Sequence, residues 1–165
     1  MFHKILVPVD GSPLSETVIE WVTEAAADGP VDVYLLRVVP HLAPSSAFGG
    51  AVSGGSSIAE LEGAATAEAR HYLDDVALHL PAHVHALVRL GHPATEIVRA
   101  AKEYGVDVIA MSTHGRAGLP RFVAGSVAEE VVRIAGVPVL LIHPDHAAIE
   151  ATPTAIHERR RRAAV

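Results

Sequence analysis

The chain has 165 residues, half of them apolar, and a formal net charge of −6. That length is enough for one domain with a real core, and no apolar run approaches the ~20 residues needed to cross a bilayer. The absence of cysteine excludes disulfides and zinc–thiolate sites, while the acidic balance argues against general nucleic-acid binding. Met1-Phe2-His3-Lys4 runs straight into a strand-like segment without a signal-peptide pattern, so the expected location is cytoplasmic.

Five apolar runs read as strands, with helical patterns between them. The first is Lys4 to Val9. Ser12-Pro13 then gives a capping hydroxyl before a proline at the first helical position. The run Val31 to Val39 is nearly continuous and predicts a strand covered on both faces. Residues His41 to Ser56, rich in Gly, Ser, Ala and Pro, read as a loop. Ser57-Ile-Ala-Glu60 is a capping box, and Ile58, Leu61, Ala65, Tyr72, Val76 and Leu80 recur after it at helical spacing. The weaker alternation from His83 to Leu90 suggests an edge or a half-exposed strand.

Pro93 opens a third helix that stops near Gly105. A fourth strand, Val106 to Met111, leads into Ser112-Thr-His-Gly-Arg-Ala-Gly118 and then Gly125-Ser126. Ser126-Val-Ala-Glu129 reads as a second capping box, opening a helix through Ile134 that Gly136 ends. The last strand is Val137 to Ile142. Alternating strands and helices predict one α/β domain with a parallel sheet and right-handed crossovers. The domain is expected to span 1–144, with 145–165 as a flexible tail. In that tail Asp145, Glu150 and Glu158 face Arg159 to Arg162, a net +1, which leaves −7 on the body.

Ligands of open parallel sheets bind beyond the carboxyl ends of the strands, where strand order reverses. Asp10-Gly11-Ser12, Val38-Val39-Pro40 and Ser112 to Gly118 all follow strand ends. Gly115, Gly118 and Gly125 give a loop that approaches phosphates without a Cβ in the way. Ser126, followed by Val127, presents N–H groups at the positive end of a helix dipole. Arg116 and Arg121 are placed to neutralise phosphate oxygens, and Asp10 to accept from an adenine amino group or a ribose hydroxyl. Backbone at Val9, Val38 and Met111 forms an apolar slot for a base. Each feature also has a structural reading as a turn, a cap or an Asx loop. No P-loop or dinucleotide fingerprint is present. His114 and the other ten histidines show no paired metal-ligand spacing.

Lys4-Ile-Leu-Val-Pro-Val-Asp-Gly-Ser12, Leu35-Leu36-Arg-Val38, Gly91-His-Pro-Ala94, Met111 to Gly118 with Gly125-Ser126, and Pro138-Val-Leu-Leu-Ile142 together resemble the universal stress protein family over roughly residues 2–143. The ATP-binding members carry Gly-x2-Gly-x9-Gly-Ser/Thr. Laid on this chain, that pattern puts Ser112 at the first glycine, then Gly115, Gly125 and Ser126. The resemblance implies a doubly wound five-stranded sheet ordered 3-2-1-4-5, with helices on both faces. It implies ATP, with Mg²⁺, as cofactor, and contacts to adenine or ribose from Pro8, Val9, Asp10 and Val38. It also implies a homodimer through Val137 to Ile142, where an apolar edge strand needs cover.

Three functional readings follow. The leading one is an ATP-binding stress-response regulator, a nucleotide-dependent dimer with a protein partner and no membrane or nucleic-acid role. The second is a nucleotide-free interaction module of the same fold, which Ser112 favours. The third is an enzyme of adenylate chemistry or a weak ATP hydrolase. No catalytic lysine, paired carboxylates or Ser–His–Asp set can be placed around the loop.

Overall fold

The computed structural model describes residues 2–27, 29–42, 57–80, 83–112 and 125–143. Nine elements follow in order: β1 (Lys4–Pro8), α1 (Pro13–Ala27), β2 (Asp32–Val39), α2 (Ile58–Ala77), β3 (His83–Leu90), α3 (Pro93–Tyr104), β4 (Val108–Ser112), α4 (Ser126–Ile134) and β5 (Val139–Ile142). All strand pairs are parallel, and the sheet order is β3-β2-β1-β4-β5, as expected. The chain winds outward from β1 to β3, then returns to place β4 on the other side of β1. The reversal lies between β1 and β4.

The apolar strand runs are explained by burial on both faces. Ile5 and Val7 of β1, with Val33 and Leu35 of β2, pack on Val18 and Val22 of α1 and on Leu73 and Val76 of α2. Leu6, Tyr34 and Leu36 point the other way, onto Ile97 and Ala100 of α3 and Val131 of α4. Successive residues of one strand thus serve opposite cores, as the two-residue period requires.

Local signals account for most element ends. Ser57 and Glu60 form both halves of the capping box, with bonds of 3.2 and 2.8 Å. Gly105 closes α3 in the left-handed conformation (φ 59°, ψ 49°). Strand β3 is an edge, one of the two readings its weak alternation allows.

Three expectations need correction. The cap of α4 is Gly125, extended at φ −56° and ψ 154°, with no side-chain capping bond. Ser126 is already the first helical residue, so the Ser126–Glu129 capping box does not form. β4 and β5 begin at Val108 and Val139, later than the apolar runs. Val106 N–H bonds Ala101 carbonyl at the helix end, and Asp107 N–H bonds Lys4 carbonyl. Pro138, which has no N–H, only accepts, from Ile109 at 3.0 Å. The apolar stripe that opens α2 is buried only in its later part, at Tyr72 and Val76, and at Leu80 beyond the helix end. Ile58 and Leu61 are exposed among the described residues.

Asp107 also ties β4 to the start of β1, accepting from the N–H groups of His3 (2.7 Å) and Lys4 (2.9 Å). Those backbone bonds hold its carboxyl below its usual pKa.

Candidate functional site

The carboxyl ends of β1, β2 and β4 and the start of α4 enclose one cleft of about 390 Å³. It lies at the strand reversal, where the rule for open parallel sheets places ligands. Pro8, Val9, Asp10, Val38, Met111, Ser112, Gly125, Ser126 and Val127, all sequence candidates, line it. The remaining candidates, Gly115, Arg116, Gly118 and Arg121, lie outside the described residues, as does 144–165.

The acidic corner is built by a tight turn. Asp10 Oδ1 accepts from Ser12 N–H at 2.9 Å, and Ser12 Oγ accepts from Ser15 N–H at 3.1 Å, which caps α1. Ser15 Oγ accepts in turn from Asp10 N–H at 3.2 Å. Gly11 makes the corner possible at φ +78°, a conformation that costs an L-residue about 1–2 kcal/mol. A Cβ there would also stand 2.8 Å from Arg37 Nη1. Gly11→Ala is therefore expected to lower unfolding free energy by about 1–2 kcal/mol, read by urea denaturation.

Partial loss of solvent pushes the Asp10 carboxyl up, but hydrogen bonds from Ser12 and Ser15 and the charge of Arg37 outweigh it. Its pKa lies below the ordinary 3.8. The folded-state value is thus depressed for Asp10 and also for Asp107. Their contribution to stability is complete above the unfolded-state value of 3.8 and is lost as pH falls through the lower folded-state values. Urea denaturation followed downward from neutral pH should show that loss, and Asp107→Asn should flatten it.

The opposite wall carries the start of α4, a nine-residue helix. Among the described residues no side chain caps its first N–H groups, and Gly125, Ser126 and Val127 border the cleft. This end of the helix carries partial positive charge. Between the two polar corners the walls are apolar, with Val9 and Met111 buried and Val38 half-buried.

Several lining residues were not read from the sequence. Pro93 and Ile97 come from α3, and Ser15 from α1. Nothing local marks them, because their convergence depends on sheet order. Arg37 did carry a signal: a charge inside an otherwise apolar strand needs a reason to be there. A second recess, of about 500 Å³, lies at the opposite end of the sheet beside His3, Asp32 and His83. It is larger, but it sits at the amino ends of the strands, away from the reversal.

This architecture is a doubly wound parallel α/β fold with a small-molecule-sized cleft at its strand reversal. The sequence pattern of the universal stress protein family matches residues 1–143. The chain belongs to that family. It is 34% identical over 144 residues to the universal stress protein MJ0531 of Methanocaldococcus jannaschii, covering 86% of this chain and 82% of that one. The solved structure of protein MJ0577 superposes with a TM-score of 0.69 at 28% identity, over 88% of this chain and 99% of the other. MJ0577 is a universal stress protein of the same organism. An Arabidopsis thaliana family protein, solved with AMP bound, shares the fold at TM-score 0.59 and 18% identity, covering 93% and 98% of the two chains.

Proposed function

We propose that this chain binds an adenine nucleotide in the cleft, with ATP as ligand, and acts as a nucleotide-dependent regulatory dimer in the cytoplasm. The observation that carries the reading is the pairing of unlike corners across one apolar cleft. A carboxylate that accepts a hydrogen bond stands at Asp10, and a helix start with no side-chain cap among the described residues opens at Gly125. In this reading the base lies between Val9, Val38 and Met111, with Pro8 at its edge, and its amino group donates to Asp10. The phosphates run past Ser112 to the N–H groups of Gly125, Ser126 and Val127, where the helix dipole favours negative charge. Gly115, Gly118, Arg116 and Arg121 complete the phosphate end, as the family resemblance implies. The volume falls within the roughly 300–1,000 Å³ typical of small-molecule sites, and the AMP-bound fold relative is consistent with the ligand class.

Mg²⁺ would enter with the triphosphate. Among the described residues no group of three or more His, Asp or Glu side chains is placed to hold a metal. Phosphate oxygens and water would therefore supply its ligands, with Asp10 in indirect contact. Isothermal titration with ATP, AMP and cyclic AMP, with and without Mg²⁺, tests the reading. One ATP per chain is expected, whereas no heat with any of the three returns the chain to the nucleotide-free module.

The proposed dimer joins β5 of two chains. This strand is a sheet edge, Leu141 is exposed, and an apolar edge invites pairing. Light scattering should show a dimer that Leu141→Asp converts to monomer.

A further inference from the structure

Arg37 is the only charged residue in the stretch Val33–Val39 of β2. Its half-buried side chain is wedged between three features. The β1–α1 turn lies on one side, close enough that a Cβ on Gly11 would meet Nη1 at 2.8 Å. On another, the guanidinium carbon sits 5.5 Å from the ring centroid of Tyr72. The third is the cleft, which Arg37 lines together with Asp10. Behind Tyr72, its hydroxyl donates to Oε1 of Glu16 at 3.0 Å, and Glu16 is only 2% exposed.

Nη1 is shielded from solvent and has no hydrogen-bond partner among the described residues. A buried donor left so is unfavourable, so the guanidinium is held by something other than a hydrogen bond at that atom. The aromatic face of Tyr72 attracts it, and the negative charges of Asp10 and Glu16 lie close enough to act on the same Tyr72 hydroxyl. The cluster thus joins α1, β2 and α2 to the turn that borders the cleft.

We infer that Arg37 is a positioning residue of the cleft: backed by Tyr72 and Glu16, it fixes the Asp10–Gly11–Ser12 turn and holds Asp10 in place as the acceptor for the ligand. The inference rests on the reading of the cleft as a nucleotide site. The groups acting on Asp10 are the N–H of Ser12, the hydroxyls of Ser12 and Ser15, and the charge of Arg37 from β2. Tyr72 from α2 and Glu16 from α1 stand behind Arg37. Of these only Arg37 is cationic, so its removal should be felt through the charge of Asp10.

A double-mutant cycle on the full chain tests this, using wild type, R37Q, D10N and the double variant. With ATP as probe, R37Q is expected to weaken binding about tenfold when Asp10 is intact and less than about twofold in the D10N background. R37K, which keeps the charge, should lose less than R37Q. Equal losses in both backgrounds would overturn the inference, because a merely structural arginine would act alike whether or not the carboxylate is present. Should wild type bind no ATP, the functional reading fails, and the melting temperatures of the same four proteins decide the role of Arg37. Coupled losses support it, and additive losses overturn it. Should R37Q not fold, the cycle is run with R37K, whose looser ammonium predicts a loss of about threefold that vanishes in the D10N background.

Discussion

Leu6→Ala is expected to lower unfolding free energy by about 2–5 kcal/mol. Leu6 is fully buried in β1, the middle strand of the sheet, among Leu36, Ile97, Ala100, Ile109 and Met111. The truncation removes three carbons from a place where strands and a helix meet. Because β1 pairs on both sides, the walls cannot collapse without moving the sheet. Leu78, which is 79% exposed, provides the contrast: Leu78→Ala should stay within about 0.5 kcal/mol. Chemical denaturation of the two variants checks both values. The cleft lies beyond the end of β1, so folded Leu6→Ala protein should keep its nucleotide affinity.

Asp10→Ala has the converse profile, with its largest effect on binding. A hydrogen bond to a charged group is worth about 1.5–3 kcal/mol, which corresponds to roughly a tenfold to hundredfold loss of nucleotide affinity. The turn also loses the acceptor for Ser12 N–H, so stability should fall by about 1 kcal/mol. Titration calorimetry beside urea denaturation separates the two effects. Affinity should drop far more than stability does, the reverse of Leu6→Ala.

These residues also show how much could be read from the chain itself. The strands were legible because burial on both faces writes a continuous apolar run. The pattern from His83 to Leu90 marks β3 with both ends correct, since Pro81 precedes it and Gly91 follows. Boundaries failed where an apolar residue serves something other than the ladder, as Val106 does in closing α3. The capping box at Ser126 failed for a different reason. Serine three residues before glutamate fits the motif, but the backbone decides which residue is extended, and here that residue is Gly125.

The candidate site was legible where its lining stands at the end of a strand or the start of a helix, as with Asp10, Ser112 and Gly125. It was not legible where separate elements converge. Tyr72 and Glu16 are 56 positions apart, and neither carries a local mark of its partner. Their pairing follows from α1 and α2 sharing one face of the sheet. Arg37 was visible as a charge in an apolar strand, but what it touches depends on Gly11, Tyr72 and the fold that joins them.

The most direct test is a map of amide chemical-shift changes on titrating ¹⁵N-labelled protein with ATP. Shifts are expected to concentrate at Val9, Asp10, Val38, Ser112, Gly125, Ser126 and Val127, around the carboxyl ends of the strands. No shifts at saturating nucleotide, or shifts centred on His3, Asp32 and His83 at the opposite end, would contradict the nucleotide reading of the cleft.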